Sequence, residues 1–267
     1  MKALNIEASF DPITQKELEE IRRLKKQANA RMVYVWPTGD GVLSIEERFE
    51  LLKLALKPYR HLQAGSGKGS TTVRLSEEVV ESEQEVRTGR FHHAAAGIRG
   101  ELVRKMYYFE TAVAARCTPH RAAHSRSVAA FAAHLAQVHH MDCELAWRAG
   151  ILHDITKAWS KEEGERILRV YAPKVLEYPP AVYHSYTAPV FLKTVMGITD
   201  HRILQAIETH TLGNGHTDLD YLLYIADKIE PTRGYDTARE TALAEKDLRA
   251  AFDLVFREAE QYRQKEN

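Results

Sequence analysis

An apolar stretch near the middle of this chain ends in adjacent histidine and aspartate residues. The segment from Trp147 to Leu152 reads as the end of an apolar helix, and His153-Asp154 follows it without a loop. Imidazole and carboxylate groups together bind first-row metal ions in hydrolytic sites. Burying such a pair costs free energy unless a metal ion or another partner compensates. The pair therefore predicts a buried polar centre.

Other metal-competent side chains occur on the apolar faces of predicted helices. The helix predicted over residues 120–140 has one inward face, formed by His124, Val128, Phe131, Leu135 and Val138. Two later helices have faces formed by Ile203, Ile207 and His210, and by Leu219, Leu223 and Asp227. His184 stands in the first turn of a helix predicted over residues 181–196, in which Pro189 should produce a kink. Each residue alone has a structural explanation, but their joint occurrence indicates a shared site.

Composition narrows the class of protein. Lys and Arg number 37, as do Asp and Glu, so no net field favours nucleic acid or a membrane as a main partner. Cys117 and Cys143 build neither a disulfide framework nor a zinc module. The N-terminus lacks the apolar core of a signal peptide, and no apolar run approaches membrane-spanning length. A cytoplasmic protein is therefore expected.

Two regions with different patterns follow one another. Strands are predicted at residues 3–6, 32–36 and 60–64, with helices over 15–27 and from the Ser44 capping box to residue 56. This alternation predicts a small parallel sheet with crossover helices. Gly65 to Thr72 is read as a flexible loop or an anion site, because its spacing does not fit a P-loop. We predict an α/β domain over residues 1–99 and an all-α bundle over residues 100–267.

The order His124, His153-Asp154, Asp227 resembles the signature of the HD superfamily of metal-dependent phosphohydrolases. The resemblance is closer to its symmetrical diadenosine tetraphosphatase branch, the YqeK-type proteins. The matching segments are Arg121 to His124, Ala149 to Asp154 with Lys157, Tyr183-His184, His210-Thr211 with Gly213, and Tyr224 to Pro231 with Arg233. Two positions depart from that branch, Leu212 in place of a second Thr and Pro189 within a helix.

The resemblance implies a dinuclear site and a reaction. For the first metal ion it implies the ligands His124, His153, Asp154 and Asp227. For the second it implies His184 and His210, with Asp154 as the bridge. For the substrate it implies Arg121, Lys157, Thr211 and Arg233, with Asp154 and Lys157 as the catalytic residues. The ions expected are iron or, alternatively, manganese or cobalt, and the reaction is hydrolysis of diadenosine tetraphosphate to two ADP molecules.

The N-terminal region resembles nicotinate-nucleotide adenylyltransferases, which have a Rossmann-like fold. The similar segments are Ser9 to Ile13, Ser44 to Leu54 and Ser70 to Arg74. Four positions depart from that family: Glu7 and Ala8 stand where it has two glycines, and Thr14 and Glu17 where it has two phosphate-binding histidines. Glu7 and Glu17 would place negative charge where a triphosphate binds. The resemblance implies a shortened, inactive domain that serves packing, dimerisation or nucleotide sensing.

Three alternatives remain open at this point. The first is that the HD region acts on another nucleotide. The second is that the first domain transfers adenylyl groups to nicotinate mononucleotide. The third is that the HD site belongs to a nucleotide sensor without catalytic activity. A substrate panel separates the first alternative from the leading hypothesis. The missing histidines argue against the second, and retention of every proposed ligand argues against the third.

Overall fold

The computed structural model describes residues 3–67 and 71–266, and it contains two compact units. One comprises the described residues of Met1–Thr111 together with Val195–Gly197, and the other those of Ala112–Thr194 and Ile198–Asn267. The predicted fold class, a small parallel α/β part followed by an all-helical bundle, is confirmed. The boundary between residues 99 and 100 stays a prediction.

The first unit is built on a parallel sheet. Its strands are β1 (Ala3–Ala8), β2 (Met32–Pro37), β3 (Leu62–Ala64) and β4 (Thr71–Arg74). Among the described residues the strand order is β3-β2-β1-β4, with every pairing parallel. Its helices are α1 (Gln15–Gln27), α2 (Ile45–Leu56), α3 (Glu77–Val80), α4 (Ser82–Arg87) and α5 (Arg99–Arg104), with short 3-10 turns at Phe91–His93 and Ala96–Ile98. Leu4 and Ile6 of β1 alternate into the core, as a sheet buried on one face requires.

The prediction of a loop over residues 65–72 is wrong at its C-terminal end, where Thr71 and Thr72 begin strand β4. Lys68, Gly69 and Ser70 lie outside the described residues. Strand β4 lies at the edge of the sheet and its side chains are mostly exposed. Such a strand has no hydrophobic alternation, so the sequence pattern could not reveal it.

Asp11, from the segment similar to adenylyltransferases, is fully buried and binds other residues of the same unit. Its carboxylate accepts hydrogen bonds from the backbone amides of Val42 at 2.6 Å and Leu43 at 3.2 Å, and from the Tyr108 hydroxyl at 2.6 Å. Arg87 completes the set with an Nη1 to Oδ2 distance of 3.3 Å. Asp11 therefore has the partners that a buried carboxylate needs for stability.

Glu17 is also fully buried. It forms a capping box with Thr14, whose backbone amide donates to Glu17 Oε2 at 2.7 Å. Burial and the neighbouring carboxyl of Glu83 raise the pKa of Glu17 well above its usual value. The side chain that was expected to repel a triphosphate is thus held in the interior, where a neutral carboxyl is favoured.

The second unit is helical. Its helices are α6 (Phe109–Arg116, which begins before the division), α7 (Pro119–Val138), α8 (Cys143–Leu152), α9 (Lys161–Tyr171), α10 (Tyr183–Phe191), α11 (His201–Thr209), α12 (Asp218–Ile229), α13 (Ala238–Lys246) and α14 (Leu248–Glu266). Short 3-10 turns occur at Pro173–Glu177, Pro180–Val182 and Pro231–Arg233. Within the described chain, no helix combines the length and apolar character that crossing a membrane requires.

The predicted inward faces form the core of this unit. His124, Val128, Phe131 and Leu135 are buried on α7, but Val138 is exposed because it lies at the end of the helix. The helix predicted over residues 181–196 is different in detail, because α10 continues through Pro189 to Phe191 and becomes a π-helix over Leu192–Met196.

Gly150 allows helices α7 and α8 to approach closely. A Cβ atom built at this position would lie 2.6 Å from the Cα atom and 2.9 Å from the backbone nitrogen of Ala129. Both atoms belong to the backbone of α7, so a side-chain rotation cannot relieve the clash. The contact lies five residues after His124 on α7 and three residues before His153, and it therefore limits the separation of these two histidines.

We expect Gly150→Ala to destabilise the protein by about 1–3 kcal/mol, because overpacking forces the two backbones apart. This cost outweighs the helix propensity gained, which is about 1 kcal/mol. The matched control is Gly100→Ala in α5, where a new Cβ meets no atom within 4 Å. Chemical denaturation should show a loss of stability for the first variant and none for the second. Equal stability of both variants would contradict the close approach.

Candidate metal centre

The predicted ligands come from five helices of the second unit, and every one of them is buried. They are His124 on α7, His153 and Asp154 directly after α8, His184 in the first turn of α10, His210 directly after α11, and Asp227 on α12. The structure brings all six together. Asp142 and Asp200 cap the starts of α8 and α11, the two helices that deliver His153, Asp154 and His210.

His124, His153 and Asp227 form one side of the centre. Asp227 Oδ1 lies 3.1 Å from His124 Nε2 and 3.6 Å from His153 Nε2. The rings of His124 and His153 meet edge to face, with centroids 5.3 Å apart. One donor atom from each of the three residues lies within 4.8 Å of the others. This spacing allows one metal ion to reach all three.

Asp154 lies between this side and the other. Its Oδ2 is 3.5 Å from His153 Nε2, and its Oδ1 is 3.2 Å from His184 Nε2 and 3.9 Å from His210 Nε2. His153, Asp154 and His210 form a second group of donors within 4.8 Å of one another. The two groups overlap at His153, while Asp154 presents one oxygen to each side. The bridging role that the resemblance implies for Asp154 stays a prediction.

The outer ring nitrogens of three histidines are fixed by hydrogen bonds. His153 Nδ1 donates to the Gly150 carbonyl at 2.7 Å, and His210 Nδ1 donates to the Ile207 carbonyl at 2.6 Å. His124 Nδ1 instead faces a carboxylate, Glu230 Oε1, at 3.0 Å. In the neutral ring, each bond favours the tautomer in which Nε2 carries the lone pair, as metal-binding histidines require.

An unsatisfied nitrogen atom gives independent evidence that these donors can hold a metal ion. His153 Nε2 is buried and has no hydrogen-bond partner among the described residues. Its nearest acidic neighbours are Asp154 and Asp227 at 3.5 Å and 3.6 Å. An unsatisfied buried polar atom is costly, and it calls for an explanation such as a bound ion. Imidazole with carboxylate is a donor set that first-row metals accept.

The electrostatics of the centre also favour a cation. Burial would lower the pKa of His153, but the carboxylates of Asp154 and Asp227 outweigh it and raise the pKa to about 10. Burial would raise the pKa of both carboxylates, but the surrounding histidines, and Lys228 beside Asp227, hold it well below the usual value. Two anionic groups thus meet within a buried site. His210 stays neutral because burial holds its pKa well below the ordinary value.

The predicted substrate-binding residues Arg121, Lys157 and Thr211 lie on the side of Asp154. Arg121 Nη1 donates to Asp154 Oδ2 at 2.9 Å, and Lys157 Nζ lies 3.1 Å from His184 Nδ1. Thr211 Oγ1 lies 3.2 Å from His184 Nε2. Burial lowers the pKa of Lys157, against the attraction of Asp154. These groups border the donors and can reach an anion there.

Arg233 lies on the side of Asp227. Its Nη2 contacts Asp227 Oδ1 at 2.9 Å, and its Nε donates to the Asp227 carbonyl at 2.9 Å. Lys228 joins it, with Nζ 2.6 Å from Asp227 Oδ2. Cationic side chains therefore stand on both sides of the centre.

Two residues were missed by sequence reasoning, Lys228 and Glu230. Both lie in the segment from Tyr224 to Pro231, but no role is predicted for either of them from the sequence. Glu230 is buried, and besides His124 it accepts hydrogen bonds from Ser127 Oγ at 2.5 Å and the Thr232 backbone amide at 2.6 Å. The available signal was an acidic residue one turn after Asp227, at the end of an otherwise apolar helix.

A helical bundle that gathers these histidines and aspartates, in this order along the chain, defines the class of metal-dependent phosphohydrolases with an HD domain. The HD domain family matches residues 121–232. The symmetrical bis(5'-nucleosyl)-tetraphosphatase of Bacillus subtilis is 36% identical over 138 residues, which cover 50% of this chain and 74% of that protein. The chain belongs to the HD-domain phosphohydrolases of the YqeK type.

Relatives named for an adenylyltransferase as well as a hydrolase are also similar. A probable nicotinate-nucleotide adenylyltransferase/Ap4A hydrolase of Mycoplasma pneumoniae is 28% identical over 177 residues, 63% of this chain. The chain spans about half the length of that relative, 51%. A solved structure from Clostridium acetobutylicum, described as a predicted HD superfamily hydrolase involved in NAD metabolism, aligns with a TM-score of 0.54 at 28% identity. The alignment covers 58% of this chain and 84% of that one.

Proposed function

We propose that the chain hydrolyses diadenosine tetraphosphate symmetrically, to two ADP molecules, at a dinuclear metal centre. The observation that carries the proposal is the pair of overlapping donor groups, His124, His153 and Asp227 on one side and His153, Asp154 and His210 on the other. The name of the Bacillus subtilis relative supports the choice of substrate.

The donors would hold two first-row ions, with His184 as a further ligand beside Asp154. Iron is expected, and manganese or cobalt are the alternatives. Such ions supply an activated water and stabilise the charge that develops on the phosphate groups. The protein's own contribution is to hold Asp154 anionic and to orient the Nε2 atoms of His124, His153 and His210 toward the centre.

The cationic residues suit cleavage in the middle of a polyphosphate chain. Arg121 and Lys157 stand on the side of Asp154, and Lys228 and Arg233 stand on the side of Asp227. Phosphates on both sides of the attacked phosphorus would therefore find a positive partner. Lys157 would stabilise negative charge on the leaving phosphate oxygen, and Thr211 would donate a hydrogen bond to a phosphate.

The test is a product analysis with protein purified without chelator. Incubation with diadenosine tetraphosphate and iron, manganese or cobalt should give ADP as the sole nucleotide product, and a chelator should stop the reaction. The ions that the protein retains should be counted on the same preparation. Formation of ATP with AMP, or turnover that does not depend on metal, would refute the proposal.

A further inference from the structure

Two cavities of unequal size adjoin the proposed metal centre. The large cavity has a volume of about 780 Å³ and reaches the centre at Thr211, Lys228 and Arg233. The small cavity has a volume of about 280 Å³ and reaches it at Lys157 and His184. A substrate that crosses the centre would extend into both.

The large cavity has the chemistry of a nucleoside site. Its walls include the aromatic rings of Tyr235 and Tyr262, which are 59% and 64% exposed, and the aliphatic side chains of Val255 and Ala259. Nucleobases of any kind stack on such aromatic rings. The carboxylate of Glu258, also on the wall, can accept a hydrogen bond from an exocyclic amine. The volume falls within the range of about 300–1,000 Å³ that is usual for small-molecule sites.

The small cavity differs in size and in lining. It lies slightly below that range, and the ammonium groups of Lys157 and Lys161 border it. Its aromatic residues are less accessible than those of the large cavity, because Tyr183 is buried and the ring of Trp159 packs edge to face on Phe191. Point charges of this kind attract phosphate groups. A polyphosphate chain therefore fits this side, whereas a second nucleoside would extend beyond it into solvent.

We infer that the enzyme recognises only one nucleoside of its substrate, in the large cavity, and reads the rest as a phosphate chain. Nucleoside 5′-tetraphosphates are then substrates in their own right. In adenosine 5′-tetraphosphate, water would attack so that the bond between the second and third phosphates breaks, yielding ADP and pyrophosphate. No further reactant is needed, and the released proton goes to solvent. This inference rests on the proposed function, because the same metal centre performs the cleavage.

The test compares three substrates with the metal-loaded full chain: diadenosine tetraphosphate, adenosine 5′-tetraphosphate and inorganic tetraphosphate. We expect kcat/KM for the first two to agree within about tenfold, because an unrecognised group adds little transition-state binding. Inorganic tetraphosphate should be at least about a hundredfold poorer, since it lacks the recognised nucleoside.

The outcomes separate this inference from the proposed function. If diadenosine tetraphosphate is cleaved but adenosine 5′-tetraphosphate is more than about tenfold poorer, both nucleosides are recognised and the inference alone is wrong. If inorganic tetraphosphate is cleaved as well as the others, no nucleoside is recognised and the inference is again wrong. If neither adenosine compound is cleaved by metal-loaded protein, the proposed function is wrong as well.

A pocket-filling variant locates the nucleoside. Ala259→Trp should raise KM for both adenosine compounds by at least about tenfold, because the indole would occupy the large cavity. The matched control is Ala242→Trp on α13, where the side chain is exposed and lies outside the lining of either cavity. Thermal denaturation confirms that both variants fold. An unchanged KM in a folded Ala259→Trp protein would overturn the assignment of the large cavity.

Discussion

Replacing Asp154 with Asn is expected to lower kcat for ADP release by at least about a thousandfold, because the centre loses several kcal/mol of charge stabilisation. Asp154 presents one oxygen to His184 and the other to His153 and Arg121. An amide keeps the shape of the side chain but lacks the negative charge that both sides share. Its NH2 group would also face nitrogen donors on at least one side.

The measurement is kcat at saturating substrate and metal, with the bound metal counted in parallel. Asp253→Asn is the matched control, because Asp253 is an exposed carboxylate paired with Arg249 at 3.4 Å. The control should keep the parent activity. If a folded Asp154→Asn protein kept more than about a tenth of the parent activity, Asp154 would not be a catalytic residue.

Replacing Glu230 with Ala should weaken metal binding by about 10- to 100-fold, the usual cost of losing a partner that orients a ligand. Glu230 accepts the Nδ1 proton of His124 in a hydrogen bond and so orients the Nε2 atom of that ring toward the centre. The Ala variant also leaves the Ser127 and Thr232 donors without their acceptor. Glu230→Gln keeps an acceptor oxygen without the charge, and its metal affinity should lie between those of the parent and the Ala variant.

Metal affinity is read by competition with an indicator chelator, so the result does not depend on turnover. The chain offers a matched control in Glu245, whose carboxylate pairs with the exposed His134 at 2.7 Å. Glu245→Ala removes the same type of bond at a distance from the centre and should leave the affinity unchanged. Equal affinities in the Glu230→Ala and Glu245→Ala proteins would show that Glu230 does not orient His124.

Local chemistry explains what could be predicted from sequence. The capping box at Ser44 sets the first residue of α2, because it satisfies backbone amides through side chains three residues apart. The inward positions of His124, His210 and Asp227 followed from helical periodicity, since a residue on an apolar face is buried with its neighbours.

The features that could not be predicted from the sequence depend on tertiary contacts. The pairing of His124 with Glu230 joins residues 106 positions apart, and no local pattern encodes it. The C-terminal helical region is likewise divided into α13 and α14 at Asp247, which has an extended backbone conformation. The distribution of Asp154 between two groups of histidines likewise depends on how four helices meet, and a list of ligands in chain order does not contain it.

The close approach at Gly150 has a consequence for metal choice. The contact between α7 and α8 limits how far apart His124 and His153 stand, and in a metal-bound protein this distance would affect which ionic radius the donors accommodate. A larger residue at position 150 would change that distance while every donor stayed chemically intact. We therefore expect the choice among metals of similar ligand preference to depend partly on a residue that has no side chain to bind one.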